Sequence, residues 1–243
     1  MLRRASSAGD QVLTDEQARR RTFGLATVYE HVLDLWSGYH ACRDGIESVT
    51  VFGSARCRPC DELYESARET GYRLARAGYR VVTGGGPGVM EAASRGAKEA
   101  GGRTLGFNVR LWPEQQPNQY LDRVVTFRHF AVRKAALIHR SSGIVVLPGG
   151  FGTLDELFDV VVLRQKEKIE PVPLVLVGDE FWGPLQEFLA ASVVASGTAS
   201  AREAELLSFV SSPAQAVSLI QESLGRRQVA GRLRRREATA VTA

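Results

Sequence analysis

The sequence places its most reactive-looking residues around one glycine-rich stretch, LPGGFGTLDEL, from Leu147 to Leu157. Three glycines surround Phe151, then Thr153 and the acids Asp155 and Glu156 follow. Upstream, Arg133 interrupts an apolar stripe formed by Phe130, Leu137 and Ile138. A charge on such a stripe needs a partner, because a lone buried charge is costly. Asp155 or Glu156 can supply it from within the chain, and so can an anionic substrate. Lys134, beside it, can serve a phosphate as a point charge.

Glu156 has a plainer reading. Thr153 is a good N-cap, and Thr153-Leu154-Asp155-Glu156 fits a capping box with the helix starting just after Thr153. A capping box needs no glycines, however. Gly149, Gly150 and Gly152 allow positive φ and leave no Cβ in the way of a ligand. They fall where the β-branched run Gly143–Leu147 gives way to Leu154, Leu157, Phe158, Val161 and Val162 at helical spacing. A helix N-terminus there offers free N–H groups and partial positive charge, which suits phosphate. A second loop of this kind, Thr83-Gly-Gly-Gly-Pro-Gly88, follows the apolar run Tyr79–Val82. Neither loop matches the dinucleotide fingerprint or a Walker loop. Gly53-Ser54 ends a third apolar run, Val49–Phe52.

These loops belong to alternating elements. The pattern predicts an amphipathic helix over 22–41, with Leu25, Val28, Val32, Leu35 and Trp36 on one side. Strands are expected at 49–52, 79–82, 103–109, 123–127, 143–147, 173–177 and, shorter, 206–210. Helices are expected at 61–77, 89–100, 129–140, 154 onward, 181–195 and 213–224. Repeated β-α-β units imply an α/β fold: a Rossmann-like, doubly wound, mostly parallel sheet with helices on both faces, as a single domain. Ligands bind such sheets at the carboxyl ends of the strands, near the switch point.

The chain has 243 residues and is 44% apolar, enough for one sizeable core. Its formal charge of +4 is unevenly spread: residues 226–243 contribute +5 and the first 21 contribute +2, leaving −3 between them. No nucleic-acid-binding face is therefore expected, and both ends read as solvated arms, the basic tail at 226–243 as disordered. No apolar run reaches the ~18 residues of a membrane span, and the first residues lack the apolar core of a secretory signal. The expected location is cytoplasmic. Cys57-Arg-Pro-Cys60 has redox spacing but no second pair, and the four histidines show no ligand spacing. No metal and no cofactor are expected.

GGGPGVMEAASRGAKEAGG, FRHFAVRKAALIHRS and LPGGFGTLDEL together resemble the LOG ("lonely guy") family of cytokinin riboside 5′-monophosphate phosphoribohydrolases, whose members often carry a lysine decarboxylase label. The resemblance runs from about Ser48 to Phe188. The family signature P-G-G-x-G-T-x-x-E falls on Pro148–Glu156, and its Arg-Lys pair on Arg133-Lys134. Where shorter members have Met-x-x-Arg-Lys, this chain has Phe130-Ala-Val-Arg-Lys134, closer to a longer bacterial branch.

The resemblance implies a homodimer that cleaves the N-glycosidic bond of an adenine-type nucleoside 5′-monophosphate. It implies Arg133 and Glu156 as catalytic and Gly149, Gly150, Phe151, Gly152 and Thr153 as the phosphate loop. Gly53, Ser54, Gly85, Gly86, Gly88, Glu91, Lys134 and Asp155 complete the candidate substrate-binding set. Glycosidic cleavage builds oxocarbenium character on the sugar, which a carboxylate can stabilise while it or a neighbour activates water. Two other functions use similar parts: a non-enzymatic carrier of nucleotide or molybdenum cofactor, and a pyridoxal phosphate decarboxylase. The last needs a Schiff-base lysine, and among Lys98, Lys134, Lys166 and Lys168 only Lys134 falls near the predicted site.

Overall fold

The computed structural model describes residues 25–110 and 116–241. Seven strands form one sheet: β1 (Ser48–Phe52), β2 (Arg80–Thr83), β3 (Thr104–Val109), β4 (Arg123–Phe127), β5 (Gly143–Val146), β6 (Leu174–Val177) and β7 (Ser208–Val210). Their order is β4-β3-β2-β1-β5-β6-β7, and every neighbouring pair is parallel. The helices are α1 (Leu25–Ala41), α2 (Glu62–Arg76), α3 (Val89–Glu99), α4 (Phe130–His139), α5 (Phe151–Gln165), α6 (Asp179–Phe188), α7 (Ala201–Ala204) and α8 (Pro213–Val241), with a π-helical stretch over Leu189–Val194.

A parallel sheet must be covered on both faces, so its strands are apolar at every position rather than at alternate ones. Ile144 and Val146 of β5 and Leu174 and Leu176 of β6 point to one face, under α4, α5 and α6. Val145, Leu147, Val175 and Val177 point to the other, under α2, α3 and α8. Phe107 and Phe127 meet edge to face at 5.5 Å in the first core. In the second, α2 and α3 approach closely through glycine: a Cβ on Gly71 would sit 1.9 Å from the Ala93 carbonyl oxygen, and one on Gly96 1.8 Å from that of Arg68.

The chain runs outward from β1 through β4, then returns to place β5 on the other side of β1. The switch point therefore lies between β1 and β5, and the loops after these strands leave toward opposite faces. Three expectations need correction. Helix α5 starts at Phe151 with Gly150 as its N-cap, so Thr153 is not the cap. The segment read as a disordered tail from 226 continues α8 as helix through Val241; it contains no proline, and Arg, Leu, Ala and Glu all favour helix. The predicted amphipathic helix forms as α1, but its apolar side faces outward. The first 21 residues lie outside the described range. No helix among the described residues is long and apolar enough to cross a membrane.

Candidate active site

The loops after β1, β2 and β5 are tied together by their backbones. Ser54 N donates to Pro148 O at 3.0 Å, and Val89 N donates to Ser54 O at 2.9 Å. The approach depends on Gly88, whose φ is +68° and whose hypothetical Cβ would lie 2.4 Å from Ser54 O. The β2–α3 loop is held from a second side by Asn118. Its Nδ2 donates to Gly85 O and Gly86 O at 3.1 and 3.0 Å, and its backbone N to Gly85 O at 2.8 Å. Sequence reasoning missed Asn118, because a lone Asn in the run PEQQPNQY carries no spacing signal.

In the β5–α5 loop the glycines act through the missing Cβ, not through positive φ, which none of Gly149, Gly150 and Gly152 adopts. The Thr153 side chain is buried and folds back over Gly149, where a Cβ would meet its Oγ1 at 2.2 Å. Around Gly150 and Gly152 there is open space to at least 4 Å. The first turn of α5 thus presents a backbone that a ligand can approach, with the helix dipole behind it.

Glu156 lies one turn into α5, too far in to cap it, and no side chain caps this helix. Its Oε1 faces Arg133 Nη2 at 3.4 Å. The two side chains are only 15% and 11% exposed. Arg133 Nε donates to the Phe107 carbonyl at the end of β3, at 2.9 Å, and a Cβ on Gly84 would lie 2.3 Å from Nη2. The guanidinium is therefore packed on the β2–α3 glycine loop and aimed across at α5. Burial pushes the Glu156 carboxyl up to about 7, opposed by Arg133 and assisted by Asp155. Burial likewise pulls Arg133 down against the pull of Glu156. The loose 3.4 Å contact fits a pair whose attraction does not offset its desolvation.

Other candidates point elsewhere. Lys134 Nζ is held by Asp159 at 2.5 Å and by Asp155 at 3.2 Å; burial lowers its pKa, but these two carboxylates outweigh that and raise it. Glu91 accepts from Tyr64 Oη at 3.0 Å. Phe151 stands almost fully exposed at the first position of α5. A cavity of about 1350 Å³ opens at the opposite, amino end of the sheet and includes neither Arg133 nor Glu156.

The fold and this edge define a doubly wound α/β protein with a buried carboxylate–guanidinium pair beside an open helix N-terminus at the switch point. The profile of the family described as "Possible lysine decarboxylase" matches residues 90–220, and the chain belongs to that family, which includes the LOG proteins. It is 37% identical over 100 residues to a cytokinin riboside 5′-monophosphate phosphoribohydrolase of Mycobacterium tuberculosis, spanning 40% of this chain and 54% of that enzyme. It is 31% identical over 155 residues to cytokinin riboside 5′-monophosphate phosphoribohydrolase LOG of Oryza sativa, covering 62% and 63%. A pyrimidine/purine nucleotide 5′-monophosphate nucleosidase of Escherichia coli is 27% identical over 155 residues, covering 58% of this chain and 34% of the relative. The molybdenum cofactor carrier protein of Chlamydomonas reinhardtii shares the fold with a TM-score of 0.56 at 23% identity, covering 74% and 99%.

Proposed function

We propose that the chain hydrolyses the N-glycosidic bond of adenine-type nucleoside 5′-monophosphates, giving free base and ribose 5-phosphate. The observation that carries this reading is the buried Glu156, facing Arg133 beside the open first turn of α5. A 5′-phosphate on the Gly149–Thr153 turn would hold the sugar near the carboxylate, and binding energy there would position the scissile bond. As the bond from C1′ to the base nitrogen breaks, positive charge grows on the sugar and Glu156 stabilises it. Water adds its oxygen to C1′, and its proton leaves to Glu156 or to the departing base. A carboxyl with a pKa of about 7 is suited to such exchange near neutrality. Arg133 keeps Glu156 in place and favours its ionised form.

The relatives' names support a nucleoside 5′-monophosphate as substrate. A carrier would hold its ligand without needing a buried carboxylate kept near neutral pKa. A Schiff-base enzyme needs a neutral amine, whereas Lys134 is held charged by two aspartates. The test is incubation with AMP, isopentenyladenosine 5′-monophosphate and adenosine, followed by chromatography for free base. Release from the monophosphates and not from adenosine is expected. Equal turnover of adenosine and AMP would remove the phosphate anchor from the mechanism, and no release from any of them would remove the hydrolase reading.

A further inference from the structure

The pair Cys57-Arg-Pro-Cys60 has no part in the chemistry at Glu156, yet it stands on the β1–α2 loop, beside that site. Ser54, three residues before Cys57, ties this loop to its neighbours through Pro148 O and Val89 N. The Cys57 thiol donates to the same Ser54 carbonyl at 3.9 Å. A cysteine side chain therefore touches the point where the loops after β1, β2 and β5 meet. Burial chiefly pushes the Cys57 thiol up, and the charges of Asp61 and Glu91 add to it.

The two sulfurs differ in access. Cys57 is half-buried at the edge of the second core, whereas Cys60 is exposed, its Sγ 3.8 Å from Asp61 Oδ1. Between them the chain turns tightly. Asp61 N donates to Arg58 O at 2.9 Å, and Arg58 N to Asp61 Oδ2 at 2.7 Å. Pro59 takes the second position of this turn, where its fixed φ belongs. The turn carries Cys60 back toward Cys57, the residue just before it. The third cysteine, Cys42, is buried and precedes β1. At ~3.3 Å per residue the five-residue strand sets it roughly 15 Å from the pair, beyond the reach of a disulfide. Zinc does not account for the pair: the described residues hold no cluster of three ligands.

We propose that Cys57 and Cys60 are a reversible disulfide site, oxidised by a small-molecule disulfide, and that the bond loosens substrate binding at the strand-end loops. Cys60, as its thiolate, attacks one sulfur of the oxidant RSSR; RS⁻ leaves and takes up the proton Cys60 gave. Cys57 then loses its proton and attacks the Cys60 sulfur, and the second RS⁻ leaves with that proton. Two cysteine thiols are oxidised, RSSR is reduced to two RSH, and excess dithiol reverses the exchange. Exposure sets the order: the accessible sulfur meets the oxidant, and the half-buried one resolves the adduct. To bond to Cys60, the Cys57 sulfur must leave the Ser54 carbonyl. That carbonyl and the Ser54 N–H hold the three loops in register, so the displacement passes to the first turn of α5. The loosening rests on the proposed function, which puts a phosphate there; the disulfide itself does not.

The test is the full chain in reduced and oxidised glutathione, quenched with acid and read by intact mass and peptide mapping. In the oxidised buffer a species lighter by two hydrogens is expected, with Cys57 joined to Cys60, and dithiothreitol should restore the dithiol. KM for AMP should be at least about fivefold higher in the oxidised species, the low end of coupling between two sites. Cys60→Ser should keep the rate of the reduced chain and lose its sensitivity to oxidation, as should Cys60→Ala if the serine variant folds poorly. Cys57→Ser should instead accumulate a glutathione adduct on Cys60. A wild-type chain that stays reduced in the oxidised buffer, or only gains glutathione, would overturn the disulfide site. A disulfide form with the AMP kinetics of the dithiol would overturn the loosening. If the reduced chain releases no base at all, the hydrolase reading fails separately. AMP binding by equilibrium dialysis then replaces the rate, and equal affinity in the two redox forms would sink the loosening.

Discussion

At the scale of the residue, Glu156 separates a cap from a catalyst. Glu156→Gln keeps the size of the side chain and removes its charge. With Glu156 well inside α5 the helix should be undisturbed, while AMP cleavage in the chromatographic assay should fall by at least about a hundredfold. A near-normal rate would reassign the carboxylate to structure. The same group predicts a pH dependence. Folded Glu156 holds its proton up to about 7, whereas an unfolded glutamate releases it near 4.5. Between those values the folded state binds the extra proton, so this contribution to stability is complete below about 4.5 and is lost as pH rises through 7. Glu156→Gln lacks that loss. From pH 4.5 to 8 its stability against urea should therefore gain on wild type, by up to about 3 kcal/mol. The rate should run the other way, with kcat/KM for AMP rising through an apparent pKa near 7 if the ionised form is the active one. Arg133→Ala should lower kcat and also stability, because it leaves Phe107 O without its donor and Glu156 without its counterion.

At the scale of the element, the glycines of α2 and α3 make a prediction whose sign is diagnostic. By helix propensity alone, Gly96→Ala should stabilise α3 by up to about 1 kcal/mol. The backbone contact to Arg68 makes it an overpacking mutation instead, costing about 1–3 kcal/mol or more in urea melts, with catalysis intact wherever the chain folds. Much of this architecture was legible beforehand, because β-branched runs and 3.6-residue periodicity report burial directly. The strand positions, the mostly parallel pairing and the meeting of the two glycine loops along one edge of the sheet followed from that pattern. The exact start of α5 was not legible: Thr153 resembles a cap locally, yet the helix starts three residues earlier, with the Thr153 side chain buried over Gly149. The facing of α1 was not legible either. Periodicity shows that a helix has an apolar side, but not whether that side meets its own sheet or something outside. Asn118 was invisible because its role depends on tertiary contact with the Gly85 and Gly86 carbonyls. Replacing it by Ala should raise KM for AMP more than it lowers kcat, since it shapes a loop that the proposed reading gives to substrate binding and is not placed at the reacting bond.

At the scale of the molecule, the pairing of β1 with β5 has a consequence for how the chain reaches its native state. Val49 pairs with Gly143, across more than ninety positions of sequence, while β1 to β4 pair with successive neighbours. The unit from β1 to β4 can therefore condense from comparatively short loops, as can the unit from β5 to β7. Only the seam between β1 and β5 must wait for a distant segment. That seam carries the Ser54–Pro148 contact, and the Arg133–Glu156 pair likewise joins the two units, with Arg133 on α4 and Glu156 on α5. Refolding from denaturant should recover helical signal first and AMP-cleaving activity later, at the rate of the slowest step. A chain caught between those stages would hold most of its secondary structure and no working site.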